Sequence, residues 1–252
     1  PVPDATHRST IVSVLRSVDD LIENNRRRIA LLEEAARLLR RGIAALASLP
    51  DAAGTRERRL ELMALLGPAL VGLHGAGADE VQALYAEAVE LARSLPPRPE
   101  HFPLLFGWWR LALARDFRES GARAAALRSF ARASRNRDLM LQAHHCGWPA
   151  SFHLGDLCGC ERHVRAGLRL YDPARHPAHA SLYGNHDAKV CGLAHAALSL
   201  WQRGAPGAGL PQMAGELAWA RRLGHVGLPG TGQRLRGGLA RALAHGFRNQ
   251  RL

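Results

Sequence analysis

The chain has 252 residues, 47% of them hydrophobic, and a formal net charge of +12 from 34 lysines and arginines against 22 aspartates and glutamates. That composition is globular and long enough for a sizeable core or for several stacked helix pairs. No apolar run reaches the length of a membrane span, and no basic segment followed by a compact apolar one opens the chain. Neither a membrane partner nor a secretory signal is therefore expected, and the default compartment is the cytoplasm.

Cys146, Cys158, Cys160 and Cys191 are too few for a disulfide framework in a chain of this size, so reduced and mostly buried thiols are expected. Residue 1 is Pro1 rather than an initiator methionine, which suggests a piece of a longer chain. The positive charge raises nucleic acid as a partner, because clustered cations displace counterions from phosphate. However, Lys189 is the only lysine, and arginine with abundant alanine, glycine and proline is the coding bias of a GC-rich genome. A solvated arginine surface is thus favoured over a polyanion site, with nucleic acid left open.

The first segment, 1–41, reads as an extended Pro1-Val2-Pro3 followed by one long helix with Ser9 or Thr10 as N-cap. Along it Ile11, Leu15, Val18, Ile22, Asn25, Ile29, Leu32, Ala36 and Leu39 recur at alternating steps of four and three, a heptad seam. Asn25 is its one polar member and would fix register by demanding a partner for its amide. Two arrangements bury such a stripe: a homodimeric coiled coil, or packing on the helices that follow. Pro1-Val2-Pro3, residues 11–27 and Leu31-Leu32-Glu33 resemble the helical spacer of type I restriction-modification specificity subunits. In that family the spacer is a coiled coil that contacts methyltransferase subunits. The resemblance implies an alternative function, a fragment of such a subunit acting on DNA through partners. Arg8 departs from the glutamine usual there, and no target-recognition domain is present to carry sequence reading.

Gly42 is expected to break the heptad, residues 49–54 to turn, and 42–225 to hold about four helix pairs. The first pair is 60–73 with 79–95, using Val81, Tyr85 and Ala88. The second is 102–117, with Trp108 and Trp109, and the helix around Ala126; one tryptophan at least should be core. The third is 140–154 with the Cys160 helix, and the fourth, after an insertion at 172–187, is 190–203 with 210–223. Ala126, Phe130 and Ala133 recur as Cys160, Val164 and Gly167, an offset of 34 residues, which is the period of the tetratricopeptide (TPR) helix pair. Gly209, Glu216, Pro206 and Pro211 depart from that pattern and predict a weakly packed last pair. Residues 226–252 read as a poorly ordered tail rich in glycine and arginine, with a short helix at 239–247.

The fold expected is therefore all-α: a coiled-coil N-terminal helix followed by a TPR-like helical-repeat array, an α-solenoid. Residues 42–50 and 66–70, Leu170-Tyr171-Asp172-Pro173-Ala174-Arg175-His176, Leu182-Tyr183-Gly184 and 194–201 resemble the C-terminal TPR region of bacterial adenylate or guanylate cyclase-type predicted ATPase regulators. The resemblance implies an interaction array, and without the preceding catalytic domains it implies no cyclase or ATPase activity.

Reactive groups fit that reading. Gly227-Leu228-Pro229-Gly230-Thr231-Gly232-Gln233 lacks the lysine and hydroxyl of a phosphate loop. Cys158, Cys160 and His163 with His144, His145 and Cys146 have zinc-binding donors, but Cys160 falls on a small packing position. His176, His179 and His186 with Asp172, Arg175 and Asp187 could shuttle protons, yet no nucleophile accompanies them. No catalytic residue, metal or cofactor is expected. First helices of TPR pairs line a concave groove, which nominates Arg115, Arg118, His145, Phe152, His153, Trp201 and Gln202 for a protein or peptide ligand, an extended or acidic segment. The expected function is non-catalytic protein interaction within a bacterial signalling regulator.

Overall fold

The computed structural model describes residues 5–50, 52–184 and 187–223. Among them the chain is all-helical: nine α-helices and two short 3-10 segments, with no strand. It divides into two compact units, one ending at Leu95 and one beginning at Pro96.

In the first unit α1 (Ala5–Ala47), α2 (Ala53–His74) and α3 (Asp79–Arg93) pack in sequence, α1 on α2 and α2 on α3. At 43 residues α1 is about 65 Å long. It starts before Ser9 and Thr10, which lie inside it, and runs on through Gly42, where a break was expected. The reason is close approach. A Cβ at Gly42 would stand 3.0 Å from Leu62 Cδ1 of α2, so glycine here lets two helices touch and does not end one of them. The helix stops five residues later, ahead of Pro50, and α2 has begun by Ala53, inside the stretch expected to turn. The covered stripe of α1 is Leu32, Ala36, Leu39, Ile43 and Leu46, with Ala36 fully enclosed and the others half-buried. In α2, Leu60, Met63, Leu66 and Leu70 face inward, and Gly67 lies under the ring of Tyr85. Val81, Tyr85 and Ala88 of α3 are all core, as their spacing indicates.

The second unit contains α4 (Phe102–Leu113), α5 (Phe117–Ala133), α6 (Arg137–His153), α7 (Leu157–Leu168), α8 (Ala188–Gln202) and α9 (Pro206–Arg222). Three-residue links follow α4, α5, α6 and α8, a length that sets consecutive helices antiparallel. Every helix packs on the next; α4 also touches α6, and α6 touches α8. Four helices start on an Asx cap. Asp116 accepts from the backbone N–H of Arg118 and Glu119, Asn136 from Asp138 and Leu139, Asp156 from Gly159, and Asp187 from Lys189 and Val190.

One apolar cluster gathers Phe102, Phe106, Trp109, Leu127, Leu139, Cys146 and Tyr183, and a second gathers Leu141, Trp148, Cys160, Val164 and Ala196. Trp109 is core, whereas Trp108 is half-buried beneath the Arg123 guanidinium at 3.9 Å. The 34-residue correspondence does not hold in space. Cys160, Val164 and Gly167 are buried, but Ala126 and Ala133 are exposed, and α5 buries Ser120, Ala124, Leu127 and Ala131 instead. Aligning the capping aspartates Asp116 and Asp156 gives an offset of 40 residues, which superposes Gly107-Trp108 on Gly147-Trp148.

The last pair is tighter than expected. A Cβ at Gly209 would lie 2.9 Å from the Ala197 carbonyl oxygen, so glycine in place of alanine brings α9 onto the α8 backbone. Glu216 and Ala220 are buried on the same side. The glycine-rich tail 226–252 and the helix expected at 239–247 fall outside the described residues.

Candidate binding groove

Between α5 and α7, with α6 as floor, runs an open groove of about 620 Å³. The sequence makes it by omission. Gly121, Ala124 and Ala125 of α5 and Gly147 and Ala150 of α6 project almost nothing, and Ser151 and Leu154 also line it. Arg118 and Arg128 of α5 and His163 of α7 supply its polar groups, and no carboxylate lines it.

His163 is seated by Gly147: a Cβ there would come within 2.4 Å of His163 Nδ1. The imidazole lies between Arg128, whose Nη1 is 3.3 Å from its Nε2, and His144, whose Nδ1 is 3.0 Å from its own Nδ1. A guanidinium only donates, so His163 Nε2 accepts and Nδ1–H donates to His144. Burial first, then His144, Arg128 and Arg162, lower the His163 pKa to about 4 against a weaker opposing pull from Asp156. His144 is lowered by burial and by Arg128 and Arg169. The histidines therefore stay neutral at physiological pH and the groove's charge is that of its arginines. Nearby, Asp156 is occupied by capping α7 and by Arg162 at 3.5 Å.

Of the seven residues nominated from the sequence, only Arg118 lines this groove. His145 is 1% exposed, bonded to Gln142 at 3.0 Å and stacked on Trp148, so its ring is a core element and not a contact surface. Phe152 is half-buried against the second cluster, edge-on to His195. His153 stacks on Phe117 with centroids 4.6 Å apart, Arg115 is exposed in the link after α4, and Trp201 and Gln202 are exposed at the end of α8. The seven are spread over several surfaces. A first-helix register nominated them, while the groove lies along the second helices, where runs of small residues were its only sequence signal.

The other clusters are structural. Cys160 is buried, its thiol raised to about 11 by burial, while Cys158 is exposed. Among the described residues no three His, Cys, Asp or Glu side chains gather to hold a metal ion. In the insertion, His176 Nδ1 accepts the Asp172 N–H at 2.6 Å and its Nε2 lies 3.1 Å from Asp138, which also binds Arg175. Tyr171 Oη donates to Asp187 at 2.5 Å, and Tyr183 packs against Phe102 and Phe106. These bonds anchor the insertion to the core; His186 lies outside the described residues.

The heptad seam is divided. Leu32, Ala36 and Leu39 are wholly or partly covered, and a Cβ on Gly72 of α2 would touch Leu32 at 3.1 Å. Ile11, Leu15, Val18, Ile22, Asn25 and Ile29 are exposed.

The described residues define an all-helical protein with an arginine-flanked groove. No helix among the described residues is long and apolar enough to cross a membrane. No family model matches the chain, and no solved structure matches it. It is similar to an uncharacterized protein of Rhizobium meliloti (strain 1021), R02095, with 37% identity over 171 residues. The match covers 66% of this chain and 16% of that protein, so the chain spans a small part of its relative's length.

Proposed function

We propose that the chain is a non-catalytic interaction module, a TPR-like helical array, that holds an acidic segment of a partner protein in the groove between α5 and α7. The observation that carries this reading is the lining itself: two guanidinium groups, neutral histidine and a floor of glycine and alanine, with no carboxylate. Small side chains admit an extended main chain, and arginine forks bind carboxylates in two-pronged fashion. Sequential packing of antiparallel helices, with first helices touching one another, supports the array. Membership of a bacterial signalling regulator is the larger setting proposed. It is supported by the resemblance of residues 42–225.

Fluorescence anisotropy with a labelled glutamate-rich peptide, beside a lysine-rich control, tests this. The acidic peptide should bind and the basic one should not. Arg118→Ala and Arg128→Ala should each weaken binding by about 1–2 kcal/mol, roughly tenfold. Raising salt from about 10 mM to about 150 mM shortens the screening length from about 30 to about 8 Å and should weaken binding further. Equal affinity for both peptides would overturn the reading. So would preferential, steeply salt-dependent binding of duplex DNA, which belongs to the restriction-subunit alternative.

A further inference from the structure

We infer that residues 11–29 of α1 form a parallel, in-register, two-stranded coiled coil with a second copy of this chain. The partition of one seam carries this. Leu32, Ala36, Leu39, Ile43 and Leu46 continue the steps of three and four begun at Ile11, and within the chain α2 covers them. The end of α2 lies level with Leu32, where Gly72 meets it. Above that point the same stripe runs on for more than two heptads with no covering helix among the described residues: Leu15 is 56% exposed, Val18 45%, Ile22 44% and Ile29 47%. An interface already formed in this register needs only a further helix to extend it.

The flanks say which helix. With Leu15, Ile22 and Ile29 at a positions and Ile11, Val18 and Asn25 at d, parallel pairing places Asn25 against its own copy, where each amide can donate to the other. Antiparallel pairing of the exposed segment would oppose Asp19 to Asp19 and leave Asn25 against Leu15. The intrahelical ion pairs Glu23–Arg27 and Glu34–Arg37 lie on the outer face and do not compete. Val12, Val14 and Leu21, all exposed, widen the apolar strip on both sides. The pairing is independent of the groove.

Light scattering on the full chain should give about twice the 27.4 kDa of one chain. The double variant Val18→Glu, Ile22→Glu should give the single mass with an unchanged melting temperature for the remaining helices, because both residues are exposed in the monomer. Leu15→Cys, in a Cys158→Ser background, should form an intermolecular disulfide with itself under mild oxidation. A single mass for the full chain, a mass of three or more chains, or a dimer that survives the double variant would overturn the proposal. Failure of Leu15→Cys to link while the dimer persists would overturn the parallel arrangement.

Discussion

Gly167→Ala adds one methyl group to the last turn of α7 and should destabilise the protein, although alanine is the better helix former. The new Cβ would stand 2.8 Å from Trp148 Cζ3, 3.1 Å from His144 Cβ and 3.6 Å from Leu141 Cδ1. Trp148 has nowhere to go: it is fully buried, its indole N–H points to Cys191 Sγ at 3.4 Å, and His145 stacks on it at 4.9 Å. Relief must come from moving α7 off α6 by several tenths of an ångström, an overpacking cost of about 1–3 kcal/mol. Helix propensity returns about 1 kcal/mol. The net loss is about 1 kcal/mol, or roughly 2–4 °C in melting temperature. Gly215 of α9 is the control. It is exposed, and a Cβ there meets only Leu193 Cδ1 at an ordinary 3.8 Å, so Gly215→Ala should gain about 0.5–1 kcal/mol. Thermal unfolding followed by far-UV circular dichroism reads both variants. A rise for Gly167→Ala equal to that of the control would refute the close packing of α6 on α7.

Trp148→Ala removes the largest fully buried side chain and should cost about 3–5 kcal/mol, read as a fall in the urea midpoint without a change in slope. Asp187→Ala deletes both the cap of α8 and the acceptor of Tyr171 Oη; a loss of about 2–3 kcal/mol is expected, with Asp187→Asn milder because the cap survives. His163 titrates at about 4 when folded and near its ordinary 6.5 when unfolded, so the unfolded chain takes up the proton first as pH falls. The stability present at neutral pH should decline between about pH 6.5 and about pH 4 and level off below, and His163→Asn should flatten that slope in melts across the window.

Helix existence was legible because heptads, apolar periodicity and proline- or glycine-containing turns are local signals. Asn136, Asp156 and Asp187 each begin a helix within a few residues of where the periodicity places one, whereas Asp116 falls inside the stretch 102–117 expected as a single helix, which ends at Leu113. Two things escaped for physical reasons. Gly42 carries the same local signal whether it ends a helix or lets another approach, and only the presence of Leu62 decides between them. The second was repeat register. Ala126 and Ala133 satisfy a small-bulky-small pattern on the solvent side of α5, since alanine suits exposed and buried helix positions equally. The pair Gly107-Trp108 and Gly147-Trp148, each nine residues before a capping aspartate from its glycine, was the better ruler. The groove inherited that error: a register out of step placed His145 on a surface when it belongs to the core.

Glycine inside helices links the fold to the groove. Gly42, Gly67 and Gly167 stand where a neighbouring side chain presses on the helix, and each lets a larger residue, Leu62, Tyr85 or Trp148, lie against the backbone. Gly147 does the same for His163, with a consequence for binding. By taking the imidazole against its backbone, α6 keeps that ring half-buried and neutral and holds it beside the half-buried Arg128, which lines the groove. A side chain at 147 would push the ring into the groove, towards solvent and towards its ordinary pKa. The small residues of α5 and α6 thus do two jobs at once. They bring helices close enough to bury Trp148 and Cys146, and between the second helices they leave an open channel lined by Arg118 and Arg128, the feature on which the proposed binding of an acidic segment rests.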